Sequence, residues 1–289
     1  MKKATLCNKN IIADILVFEF CCSLNKSKQT TRSEFAQNYA QILAAITTTF
    51  ANYSIKMAKY RNNLPLNAKD RIFLSEGGMM TSFFFGEDTK DIKVPECNLF
   101  FHFIKDEKIM NWASNYNRKF LDLCLKENDE FGCVLVAFFQ YKARKQDVKE
   151  VLDIDEEEWV QLNKDYVQRL VDLRSEYESS IPNCPPIPIG GLVVPKGEKG
   201  DCFSMDTRMN IDEAEEYHRD QIKMIAEDTM ADFLLFALAS YSEDVIGVCN
   251  VAARYQLPVV VSFTTGTDGR LYGGETIKVS LVCDMVFQI

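Results

Sequence analysis

Apolar positions change their period partway along this chain, and the change marks out its organisation. From Ser33 to about Tyr60, the residues Phe35, Tyr39, Ile42, Ile46, Phe50, Tyr53, Met57 and Tyr60 recur at three- and four-residue steps. That spacing predicts a helix of about seven turns carrying one apolar stripe, with Ser33 as its N-cap. Such a stripe packs against a main domain or, in a sharper reading, against a coiled-coil partner. Asn62-Asn63-Leu64-Pro65 then breaks the pattern. The chain is accordingly divided into an N-terminal helical extension, 1–66, and a second domain, 67–289.

Beyond residue 70, short apolar runs alternate with longer amphipathic ones. The runs at 72–74, 133–139, 187–194, 233–238 and 259–264 read as strands, several of them without polar alternation. Between them, 106–126, 156–179 and 242–255 read as helices. A further helix starts at Asn210, with Glu213 three residues on as the partner in an N-cap, and runs to about Met230. Apolar strands separated by helices imply a parallel sheet covered on both faces. Right-handed crossovers of this kind suit a (β/α) barrel or an open doubly wound sheet.

Composition narrows the classes. The net charge of −9 is uneven, because residues 1–66 carry nine Lys and Arg against three Asp and Glu, or +6, which leaves −15 for the remainder. That acidic remainder argues against a nucleic-acid surface, which needs clustered cations. Ten scattered cysteines with no Cys-x-x-Cys pair read as reduced thiols of an intracellular protein. No apolar run approaches the ~20 residues that span a bilayer, and Asp14 and Glu19 interrupt the run at 11–24. The expectation is a cytoplasmic protein with no membrane partner. Walker, dinucleotide and nucleophile-elbow motifs do not occur. Of the two histidines, His102 lies in a run of phenylalanines and reads as packing.

Several segments together resemble the homocysteine S-methyltransferase family, the zinc-dependent barrels that include betaine–homocysteine methyltransferases. They are Ser75-Glu76-Gly77-Gly78 at the first strand end, Ala137-Phe138-Phe139-Gln140-Tyr141 at the second, Gly190-Gly191 and Gly200-Asp201 around the third, and Glu213, Glu216, Tyr217 and His218 on the helix that follows. The resemblance runs from about Lys69 to Ile277. It implies an incomplete (β/α)8 TIM-type barrel with about five recognisable strands, an α/β fold. It also implies homocysteine or a related small amino acid as ligand, with Glu76, Gly77, Gly78 and Tyr141 lining its site. Glu76 takes the place of the family's Asp, and a carboxylate there suits a substrate amine. His218 reads as a packing or hydrogen-bonding residue rather than a ligand.

Two departures bear on activity. The family ends its fourth strand with a Glu that contacts the substrate, and Ala237 stands in that register. Its zinc is held by one cysteine after the sixth strand and a Cys-Cys pair after the eighth, and here thirteen residues follow Thr276. A circular permutation would gather Cys21, Cys22 and Cys283 instead. Zinc, which activates the homocysteine thiol in the family, is therefore not expected to be bound. No catalytic residue and no metal ligand is assigned. The reading is a homocysteine methyltransferase-like pseudoenzyme of methionine metabolism, with impaired or absent activity. The alternatives are a non-catalytic amino-acid-binding or protein-interaction module whose partner covers an open barrel edge, and a truncated gene product.

Overall fold

A computed structural model describes residues 58–67, 71–76, 78–92, 100–125, 131–197 and 208–276. The chain divides between Lys56 and Met57, and everything described belongs to the unit that follows. Five strands lie side by side in chain order: β1 (Ile72–Ser75), β2 (Phe131–Val136), β3 (Ile189–Val193), β4 (Phe233–Ala239) and β5 (Val259–Phe263). Every neighbouring pair is parallel. Between β1 and β2 come α1 (Met79–Phe85) and α2 (Glu107–Leu125). Helices α3 (Lys145–Leu152) and α4 (Glu156–Ser180) join β2 to β3, α5 (Ile211–Asp228) joins β3 to β4, and α6 (Ser242–Arg254) joins β4 to β5. Among the described residues β1 and β5 are edges, so the sheet is an incomplete (β/α) barrel.

Strand alternation sorts the side chains into two cores. Cys133, Leu135, Ile189, Val193, Leu234 and Phe236 face outward and pack beneath the helices in the larger cluster. Val134, Val136, Leu192 and Phe233 face the concave side, with Val194 beyond the end of β3, and Phe73, Leu235, Ala237 and Val260 are half-buried around them. The glycine pair lies early in β3 and serves packing. A Cβ on Gly190 would meet the Phe233 ring at 2.6 Å, and one on Gly191 would meet Ile225 Cγ2 at 2.5 Å.

The segment before β1 is fastened to the rest of this unit. Leu64 and Leu66 pack against the concave cluster. The Tyr60 amide donates to Asp232 Oδ1 at 2.7 Å, and the Arg61 guanidinium donates to the carbonyls of Ala226 and Ala231 at 2.6 and 2.7 Å. Asp232 is itself buried, paired with Arg174 at 2.7 Å and accepting from the Ile189 amide at 2.8 Å. The carboxylate thus joins the entering segment, α4 and the start of β3 at one point. Each of its bonds lowers the cost of burying a charge.

Most expected elements are present with shifted ends. The Asn210–Glu213 capping box is formed, with both reciprocal bonds, and α5 stops at Asp228. Strand β2 ends at Val136 rather than Phe139, because Phe138–Gln140 winds into a 3-10 turn whose Gln140 is fully buried. Helices α1 and α3 were not foreseen: α1 has seven residues, of which Thr81 and Ser82 are polar, and α3 has eight, in which Val148, Val151 and Leu152 follow a helical step but span little more than one turn. The helix expected from Ser33 lies outside the described residues except at its end, where residues 59–62 form a turn.

Candidate functional site

In a barrel of parallel strands the C-terminal strand ends carry the site, because the loops there vary without disturbing the core. At the end of β1, Glu76 extends the ladder past its last pair, Ser75 opposite Val134. Its Oε1 accepts from the Val136 amide at 3.2 Å, while Oε2 is shut away from solvent with no hydrogen-bond partner among the described residues. Desolvation pushes this carboxyl up to about 8, against the smaller opposing pull of two backbone hydrogen bonds, its own amide and that of Val136. Tyr166 of α4 feels the Glu76 charge, and burial raises its phenol far above the usual range. Gly77 lies outside the described residues. Gly78 caps α1 at φ 80, a left-handed conformation that favours glycine, although a Cβ there would meet only the Tyr116 hydroxyl, at 3.8 Å.

At the end of β2, Tyr141 is half-buried and packs against both clusters. Its position follows from the residue before it. Gln140 Nε2 donates to Asn163 Oδ1 at 3.1 Å, and Gln140 Oε1 accepts from the Leu192 amide at 3.1 Å. Gln221 Nε2 donates to the carbonyls of Gln140 and Leu192 at 3.0 and 3.2 Å. All three side chains are buried, so this network ties the β2 loop to β3, α4 and α5 at once. Lys142 follows at φ 53, and its ammonium donates to the Gly197 carbonyl at 3.1 Å across to the loop after β3.

The end of β4 keeps a distorted backbone without an acid. Ala237 contributes its methyl to the concave cluster. Leu238 sits at φ 63, the pairing with β5 shifts register between Phe236 and Ala239, and Ser240 Oγ donates to the Leu238 carbonyl at 3.1 Å. A leucine in the left-handed region costs about 1–2 kcal/mol. Glu243, the nearest acid downstream, pairs with Arg208 at 2.6 Å, and Arg208 also reaches Glu275 in the loop after β5 at 3.3 Å.

The structure therefore brings Tyr141 and Ala237 onto the concave cluster and sets Glu76 at the β1–β2 junction. His218 does not join them. It is buried between α5 and α6, with Nε2 2.8 Å from Asp244 Oδ1 and its ring edge-on to Phe236. The sequence did not single out Tyr166 or the Gln140–Gln221 network. Buried amides of this kind leave no periodic signature, and the only hint was a Gln ending an apolar run.

The resemblance implies zinc, a metal that takes three or four thiolate, imidazole or carboxylate donors. Among the described residues no group of three or more His, Cys, Asp or Glu side chains could hold a metal ion. Cys124, Cys133, Cys184 and Cys249 are free thiols. Desolvation raises Cys133, Cys184 and Cys249, the last up to about 12, which favours the thiol over the thiolate that zinc requires. The described residues do not fit the metal. Cys21, Cys22 and Cys283 lie outside them, so their convergence is not described.

A run of parallel βα units, with its loops gathered at one mouth, defines a (β/α)-barrel-type domain. The chain belongs to the homocysteine S-methyltransferase family, whose model matches residues 126–284, more than half of its length. Among solved structures it is similar to the homocysteine methyltransferase MmuM from Escherichia coli. To the metallated form it is 15% identical with a TM-score of 0.60, over 76% of this chain and 72% of that one. To the apo form it is 13% identical with a TM-score of 0.53, over 76% and 69%. At such identities the likeness establishes the fold alone. No curated protein sequence matches the chain. No described helix is long and apolar enough to cross a membrane.

Proposed function

We propose that this domain keeps the amino-acid-binding scaffold of its family, takes homocysteine or a related small amino acid at the C-terminal mouth, and is impaired in methyl transfer. The observation that carries the reading is Ala237, a methyl on the concave face in the register where the family places a substrate-contacting Glu. Losing a carboxylate that pairs with an ammonium forfeits a charge-assisted hydrogen bond of about 1.5–3 kcal/mol. Glu243 does not replace it, being held by Arg208. Glu76, Gly78 and Tyr141 remain as ligand-lining residues in this reading, and Gly77 is assigned with them by resemblance. Because the described residues do not fit zinc, no step is routed through the metal. Scattered reduced thiols support a cytoplasmic setting.

The test is methyl transfer from S-methylmethionine to homocysteine by the full chain, beside calorimetric titration with homocysteine alone. Measurable binding with negligible turnover is the expected result. Turnover within tenfold of an active family member overturns the impairment.

A second reading, a protein-interaction module, is favoured by β1. On this edge strand Ile72 is 64% and Leu74 36% exposed, an apolar face suited to a covering protein partner. Self-association is one form this takes: Ile72→Lys would then shift the sedimentation profile toward monomer. An unchanged monomeric profile in both proteins removes self-association.

A further inference from the structure

The Glu76 carboxyl is half-used. Oε1 accepts from the Val136 amide, and Oε2 is enclosed and has no partner among the described residues. An ionised carboxylate in that position would be a buried charge with neutral amides as its hydrogen-bonding neighbours, a costly state. The neutral acid leaves only one polar oxygen unmatched, so the empty site favours the protonated form. An alkylammonium reverses the preference, because it supplies a positive charge and three donors.

We propose that Glu76 is a proton-coupled anchor, resting as the neutral acid and ionising when a ligand amino group docks on Oε2. The proposal rests on the amino-acid-binding reading above and adds the charge state of its anchor. The step balances: an ammonium ligand and a protonated Glu76 give an ammonium–carboxylate pair and one proton released to solvent. Burial already holds this carboxyl up at about 8, so the acid form prevails at neutral pH. The titratable group facing it from α4 is Tyr166, whose phenol stays neutral throughout that range. From β2 the group facing it is the Val136 amide, and the turn after β2 gives the Phe139 amide to the Tyr166 hydroxyl; neither titrates.

A purely structural role, capping the Val136 amide, is preserved in Glu76→Gln, whose amide oxygen accepts the same bond. Proton coupling is not. Carbon-13 NMR of the full chain labelled at glutamate carboxyls identifies Glu76 as the resonance missing from Glu76→Gln. A titration midpoint near 8 is expected, and a midpoint in the ordinary carboxylate range overturns the resting state. Titration calorimetry with homocysteine at pH 7, in phosphate and in Tris, counts the protons. About one released per ligand by wild type and about none by Glu76→Gln is expected. Binding with no proton released by wild type overturns the coupling. An absence of heat with homocysteine counts against the ligand reading instead, and the NMR midpoint decides the charge of Glu76 independently.

Discussion

At the end of β1 a carboxyl is present but boxed in: Glu76 spends one oxygen on the Val136 amide and keeps the other enclosed. At the end of β4 the reverse holds. The backbone is bent through a register shift and a left-handed Leu238, yet the side chain beside that distortion is the methyl of Ala237. One mouth position has kept an acid and muted its charge by burial. The other has strained backbone of the kind found at functional sites beside a side chain that carries no polar group.

The sharpest way to break this contrast is pH. Glu76 is held above its unfolded value of 4.5, at about 8. Below 4.5 both folded and unfolded chains hold the proton. Between 4.5 and 8 only the folded chain does, so stability falls as pH rises through that window and the loss is complete above 8. The expected fall is on the order of a few kcal/mol in denaturant titrations, and it is absent from Glu76→Gln. A wild-type slope equal to that of the variant would mean the carboxyl is not muted.

Restoring the acid at the other mouth probes the second half of the comparison. Ala237→Glu is expected to tighten homocysteine binding about tenfold or more, the equivalent of about 1.5–3 kcal/mol, by calorimetry. Unchanged affinity would show that the bend at β4 no longer faces the ligand. Gly191→Ala tests whether the scaffold is as tightly specified as the contacts imply. Its Cβ would strike Ile225 at 2.5 Å, and a loss of about 1–3 kcal/mol in thermal unfolding is expected. The smallest effect is Leu238→Asn, which suits the left-handed backbone. It should be neutral or more stable by about 0.5 kcal/mol, and a clear destabilisation would assign the leucine side chain a packing role that outweighs its strain.

Much of the architecture was legible as periodicity. Five apolar runs became five parallel strands in chain order, and Asn210 with Glu213 announced the capping box that starts α5. These features are local: a strand or cap is written in residues a few positions apart. The glycine pair was legible as a motif, but its reason was not. Gly190 and Gly191 lie early in β3, making room for Phe233 and Ile225 from elements some 35–45 residues away. Helix α1 escaped notice because its seven residues, with only Thr81 and Ser82 polar, are too few to display a period.

The sequence by itself determined the order of elements, the family and the absence of an acid at position 237, since each follows from residue identity and local spacing. Only the tertiary structure decided what the remaining polar groups do. It buried His218 against Asp244, tied Gln140 to β3 and α5, and enclosed Glu76 beside Tyr166. The physical reason is that a side chain's charge and reactivity depend on desolvation and on partners brought from distant parts of the chain.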